Sequence, residues 1–292
     1  MRNSQNGVNL RNNSGQEKAL SLLYGNFFGR CVLKILTMPF ISKAAGAFMD
    51  SPLSVPFIKP FIRKNNISMA EYEKADYKSF NEFFTRRIKP ENRPFSQNPA
   101  ELISPCDSKL TVYEINENSL FSIKNSLYSV EDLLKNNPLA EKYKGGYCMI
   151  FRLCVNDYHR YCYIDNGIKG GNKFIGGELH TVNPIALKHY NIYKRNSREY
   201  TILRTENFGD VVQVEVGAML VGKISNLHGR HKFRRGEEKG MFQFGGSTIV
   251  LLFEKGRIAV DGDILENSAK GIETPVRFGE TIGFRQCVIR NA

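Results

Sequence analysis

A chain of 292 residues, 41% of them hydrophobic, can bury one large core or two modest ones, which excludes an unstructured tail-like protein. Its 41 basic and 29 acidic residues leave a formal net charge of +12, which suits an anionic partner: nucleic acid or acidic lipid head groups. No basic, apolar and small-residue succession of a secretory signal opens the chain, and the six cysteines (Cys31, Cys106, Cys148, Cys154, Cys162 and Cys287) contain no C-x-x-C pair, as expected in a reducing cytoplasm.

Residues 1–16, rich in Asn, Ser and Gly, have little to bury and read as a flexible tail. From Leu20, the apolar residues Leu20, Leu23, Tyr24, Phe27, Phe28, Cys31 and Ile35 recur at helical spacing. Arg30, Lys34 and Lys43 interrupt this stretch before the roughly 18 uncharged residues of a membrane span. An amphipathic helix is expected, lying on the protein or in a lipid interface with its cations toward anionic head groups.

Pro52, Pro56 and Pro60 are expected to break the helical pattern. Ser68-x-x-Glu71 and Ser79-x-x-Glu82 read as capping boxes, predicting two short helices, the second carrying Phe80, Phe83, Phe84 and Ile88. The segment from Pro90 to Pro94 closes a helical region over 17–95.

Beyond residue 100 the period becomes alternating. Val212, Val214 and Val216, interleaved with Gln213 and Glu215, predict a half-buried strand, and the unbroken apolar run from Ile249 to Phe253 predicts one buried on both faces. The expected architecture is α+β: a helical N-terminal region packed on a β-rich body over 96–292, with no internal repeat.

Cys148, Cys154, Cys162 and His159 lie close in sequence, but their spacing matches no standard zinc pattern, and no metal is expected. Gly245-Gly246-Ser247-Thr248 sits just before the apolar run, where two glycines open backbone conformations closed to other residues. A serine forced against its preceding carbonyl could attack it, converting the peptide to an ester, and β-elimination and hydrolysis would then leave a pyruvoyl group. Alone, a Gly-Ser pair most often marks an ordinary turn.

Phe83-Phe84-Thr85-Arg86-Arg87-Ile88-Lys89-Pro90 resembles the F-F-x-R-x-L-K-P signature of phosphatidylserine decarboxylases, and Ser104-Pro105-Cys106-Asp107-Ser108 their S-P-x-D-G segment. Phe151-Arg152-Leu153 and Asp157-Tyr158-His159-Arg160 are similar to the family's F-R-L and D-Y-H-R elements. Val182-Asn183, Asn196-x-Arg198, Val216-Gly217-Ala218 and Val221-Gly222 continue the resemblance, in order, toward Gly246-Ser247-Thr248.

The resemblance implies that the chain cuts itself between Gly246 and Ser247 into a large chain, 1–246, and a small chain, 247–292, that remain partners. Ser247 would become the covalent pyruvoyl cofactor. Phosphatidylserine would join it as an imine, lose carbon dioxide and leave as phosphatidylethanolamine. Asp107 is expected to orient or charge-stabilise a histidine acting as base toward the serine, although it could instead be a turn residue.

Three positions depart from the family pattern. The second histidine of D-Y-H-R-x-H, the one normally placed in the self-cleavage triad, is Cys162, so His159 is taken as the base, with Asp157 and Cys162 as supporting candidates. Gly245 replaces the usual Leu, and Ser197 the usual Glu. Because the lipid's acyl chains stay in the bilayer, residues 19–63 are expected to bring the enzyme peripherally to an anionic membrane surface on the cytoplasmic face. A homo-oligomer is compatible with the sequence. The rival readings are a pyruvoyl enzyme for a soluble amino acid, a lipid-binding pseudoenzyme and a basic nucleic-acid-binding protein, the last lacking any recognised RNA-binding motif.

Overall fold

The computed structural model describes residues 39–118, 120–123, 126–177, 196–217, 224–244 and 247–286. The tail over 1–16, the stripe from Leu20 to Ile35, Val182-Asn183, Ala218 through Gly222 and Gly246 lie outside them.

The architecture is α+β. In chain order the strands begin with β1 (Glu101–Ile103), β2 (Ser108–Glu114), β3 (Leu120–Ile123), β4 (Ser126–Ser129), β5 (Tyr147–Leu153) and β6 (Arg160–Cys162). They continue with β7 (Gly167–Lys169), β8 (Lys173–Ile175), β9 (Arg198–Thr205), β10 (Asp210–Gly217), β11 (Ile224–Asn226) and β12 (His231–Phe233). The last are β13 (Glu238–Phe242), β14 (Ser247–Phe253), β15 (Ile258–Val260), β16 (Thr274–Val276) and β17 (Thr281–Arg285).

One sheet runs β12-β7-β9-β10-β14-β5-β2-β16, with β8 also paired to β9, and smaller sheets are β1-β17-β15, β11-β13-β6 and β3-β4. β14 lies near the centre of the large sheet, between β10 and β5, and every residue from Ser247 to Phe253 is buried. Alternate residues of β14 enter two cores: Val250 and Leu252 join Val212, Val214, Cys148 and Ile150, while Ile249 and Leu251 join Met149, Phe151 and Leu153.

The expectation for β10 needs correction. Gln213 and Glu215 are as buried as the valines between them; β11 and β13 supply polar partners to Glu215, while the Gln213 side-chain amide has no hydrogen-bond partner among the described residues. Lys239 Nζ donates to Glu215 Oε1 at 2.6 Å and to Asn226 Oδ1 at 2.7 Å, so the carboxylate is buried with a countercharge.

The helical part runs through Pro39–Met49, a 3-10 turn at Pro52–Phe57, and helices at Ile58–Lys64 and Phe80–Phe84. Pro60 does not interrupt the chain's helical course, since it is the third residue of its helix, where an N–H has no intrahelical partner to lose. Ser79 caps as expected, accepting the Glu82 N–H at 3.1 Å. Ser68 does not; Met69–Glu71 is a single 3-10 turn, and Glu71 bonds Arg93 instead. Ile88 lies beyond the Phe80–Phe84 helix and bridges Tyr72.

This part packs on the sheet body through aromatic rings. Phe80 meets Phe244 edge-on with centroids 4.9 Å apart, and Phe61 and Phe84 close on the same ring. Among the described residues, no helix is long and apolar enough to cross a membrane.

Candidate active site

Ser247 heads β14, only 1% exposed, with Leu153 opposite it on β5 and Gly217 opposite it on β10. Gly217 brings no side chain to that position, and its carbonyl is braced by Asn196 Nδ2 at 2.8 Å. His159 lies just before β6, fully buried. The chain arrives there through a turn in which Cys154 N–H donates to Asp157 Oδ2 at 2.6 Å and Asp157 N–H to the Cys154 carbonyl at 3.0 Å.

The turn sets the histidine. His159 Nε2 is 3.0 Å from the Cys154 carbonyl, and Nδ1 is 3.3 Å from Ser247 Oγ. A carbonyl can only accept, so the hydrogen-bond network assigns the ring proton to Nε2 and leaves an unprotonated Nδ1 facing the hydroxyl. Burial, and then the nearby Arg86 charge, lower the His159 pKa to about 3, against the opposite pull of the carbonyl. The ring is therefore neutral across the physiological range, with its lone pair on the serine.

Residues of the helical part enclose this pair. The Phe84 ring lies over His159 with centroids 4.0 Å apart. Arg86, 2% exposed, sits between the rings of Tyr72 and Phe83, at 4.2 and 4.9 Å from their centroids. Asn81 Oδ1 accepts the Phe244 N–H at 2.8 Å and its Nδ2 donates to Asp50, tying the strand that leads toward residue 246 to the helices. Sequence reasoning assigned no role to Asn81, Phe84, Arg86 or Phe244; the F-F-x-R signature was the available signal for two of them.

The other candidates are placed differently. Asp107 does not touch His159, both of whose nitrogens are engaged elsewhere. Its carboxylate takes Arg93 Nε at 2.9 Å, Arg93 Nη2 at 2.6 Å and the Phe278 N–H at 2.8 Å. The His159 nitrogen that points away from Ser247 bonds the Cys154 carbonyl rather than Asp107. Asp157 supports the turn beneath His159, and burial raises its pKa to about 6, with the Cys154 N–H opposing and the Asp107 charge adding.

Cys162 packs in the apolar core beside Cys106, and burial raises its thiol pKa, the wrong direction for a base. Cys148 lies in the other core, so the four-residue grouping with Cys154, Cys162 and His159 does not converge.

A polar cavity of about 350 Å³ opens beside the His159 turn, lined by Asn156, Asp157, Arg93, Asp107, Lys109 and Arg277. Its mixed charges suit a small zwitterionic or anionic group.

A buried hydroxyl facing a desolvated neutral imidazole, at the head of a central strand, defines a serine–histidine centre able to remove the hydroxyl proton. Residues 80–284 match the family model for phosphatidylserine decarboxylase, and the chain belongs to that family. It is 51% identical over 265 residues to phosphatidylserine decarboxylase proenzyme 2 of Clostridium acetobutylicum, covering 90% of this chain and 91% of that one. It is 42% identical over 276 residues to the phosphatidylserine decarboxylase proenzyme of Clostridium tetani, covering 93% of each chain.

Proposed function

We propose that this chain cuts itself between Gly246 and Ser247 and then removes the carboxyl group of phosphatidylserine, releasing carbon dioxide and phosphatidylethanolamine. The observation that carries the reading is the approach of His159 Nδ1 to 3.3 Å from Ser247 Oγ. His159 takes the hydroxyl proton as Oγ bonds to the carbonyl carbon of residue 246, and the peptide C–N bond then breaks as nitrogen gains a proton. The ester that results loses the Cα proton of residue 247 and expels the new carboxylate of residue 246. Water then hydrolyses the dehydroalanine to a pyruvoyl group and ammonia.

The surroundings of Ser247 fit that group, being buried and free of a side chain at Gly217 across the sheet. The pyruvoyl carbonyl, once formed, supplies an electron sink for loss of the substrate carboxyl. Among the described residues His159 is the titratable side chain bonded to Ser247, while Phe84 and Phe244 keep bulk water away. Lys109 and Arg277 in the adjoining cavity offer charge to the anionic parts of the head group.

The same reading puts the protein peripherally on an anionic membrane surface at the cytoplasmic face. Leu53, Val55 and Phe57 are 74%, 36% and 54% exposed on one 3-10 turn, followed by the exposed Lys59, Arg63 and Lys64. Residues 66–68 of this region line the cavity, so a lipid held there has a short path to it.

The test is carbon dioxide release from phosphatidylserine in mixed vesicles against release from free serine. Turnover of the lipid alone is expected, and release from free serine without turnover of the lipid would reject it.

A further inference from the structure

Away from Ser247, the link between β12 and β13 turns tightly at Gly236, whose φ of +75° falls where glycine is favoured. The turn aims the Glu237 carboxylate. Its Oε2 accepts the Arg234 N–H at 2.9 Å, and its Oε1 lies 2.6 Å from His231 Nε2 and 3.9 Å from His228 Nε2. One donor atom from each of these three side chains lies within 4.8 Å of the others.

The surroundings gather the histidines on one side of the turn. Their rings stack with centroids 3.9 Å apart and planes 9° from parallel, so one ring must turn out of the stack for both in-plane lone pairs to meet on one ion. His228 Nδ1 is 3.2 Å from the Tyr163 hydroxyl, and Tyr163 is fixed by stacking on Phe233 at 4.2 Å. Lys169 Nζ donates to the carbonyls of His228 and Gly229, each at 2.9 Å, which pins the loop.

A simple ion pair accounts for His231 and Glu237 but not for His228, which turns Nε2 toward the same oxygen while Tyr163 engages its other nitrogen. When Nδ1–H donates to Tyr163 Oη, the Nε2 lone pair is left open, the arrangement by which an outer partner orients a metal-bound histidine. We propose that His228, His231 and Glu237 bind a divalent transition-metal ion, with Zn²⁺ best matched to the donor set. Two imidazoles and one carboxylate suit zinc better than the oxygen-seeking Mg²⁺ or Ca²⁺. Side-chain exposures of 27% and 32% leave room for water to complete the coordination. The site shares no residue with the serine–histidine centre, so it is assigned a binding role and no step in the decarboxylation.

Calorimetric titration of the full chain with Zn²⁺, and with Mg²⁺ as control, tests this. Saturable binding of one Zn²⁺ per chain and none of Mg²⁺ is expected. His231→Ala and Glu237→Gln should each abolish it, and Tyr163→Phe should weaken it roughly tenfold. Glu237→Gln and His228→Gln keep side-chain bulk at a partly exposed turn, so a melting curve shows whether each variant is folded before its titration is read. Absence of Zn²⁺ binding in the wild type, or equal affinity in folded His228→Gln and Glu237→Gln proteins, would overturn the assignment.

Discussion

The ring of Phe84 lies over that of His159 with centroids 4.0 Å apart and planes inclined by 32°. A residue of the helical part thus desolvates the imidazole that faces Ser247, so the proposed base depends on packing between the two parts of the protein. Phe84→Ala should open that lid, costing about 3–5 kcal/mol in stability and moving the His159 pKa up toward 6.5. Histidine NMR titration on a Ser247→Ala background reads this; an unmoved His159 would show that Phe84 does not exclude water.

Acid stability follows from the same burial. The folded His159 value of about 3 lies below its ordinary 6.5, so between these limits the unfolded chain binds more protons and stability falls as pH drops. Asp157, raised from 3.8 to about 6, works the opposite way between those values. His159→Phe on the Ser247→Ala background isolates the histidine. It should flatten the acid loss by on the order of a few kcal/mol at pH 4, and leave stability above pH 7 without a histidine-linked slope. Denaturant melts across pH 4–8 measure the difference.

Asp107 and Cys162 can be separated from the base by mutation. Asp107→Asn leaves Arg93 with a weakened buried partner, so a loss of about 3 kcal/mol is expected, while the folded fraction should still cut itself. Cys162→Ala should also cut. Loss of cutting at an unchanged melting temperature in either variant would return that residue to the base machinery.

Lys239 and Glu215 form an ion pair in which both side chains are fully buried. Lys239→Met should cost about 3–5 kcal/mol by stranding the carboxylate, and Lys239→Met with Glu215→Leu should recover most of it. Equal losses in the single and double variants, read by denaturant melts, would mean that the pair is not coupled.

Leu53→Ser with Phe57→Ser should weaken sedimentation with anionic vesicles severalfold, because the pair removes exposed apolar area without touching the aromatic cluster under the helices. Unchanged sedimentation would exclude this turn as the membrane contact.

Some of this was legible in sequence. The run from Ile249 to Phe253 identified a strand buried on both faces, because nothing in it needs a polar partner. The alternation around Gln213 and Glu215 misled: Lys239 and Asn226 reach Glu215 from a separate sheet, a partner no local pattern records, and Gln213 is buried without one among the described residues. Ser68-x-x-Glu71 looked like a cap until Glu71 was drawn to Arg93, 22 residues on. Family resemblance singled out Ser247 and His159, but the contact of His159 with the Cys154 carbonyl rather than Asp107 depends on a turn whose backbone donors and acceptors are invisible in side-chain spacing.

The most direct measurement is the intact mass of the purified full-length protein beside its Ser247→Ala variant. Self-cleavage at this bond requires two fragments, 1–246 and 247–292, the smaller blocked to Edman chemistry and reactive with a hydrazine, and an uncut 33.2 kDa chain in the variant. A wild-type protein that remains a single 33.2 kDa chain would contradict it.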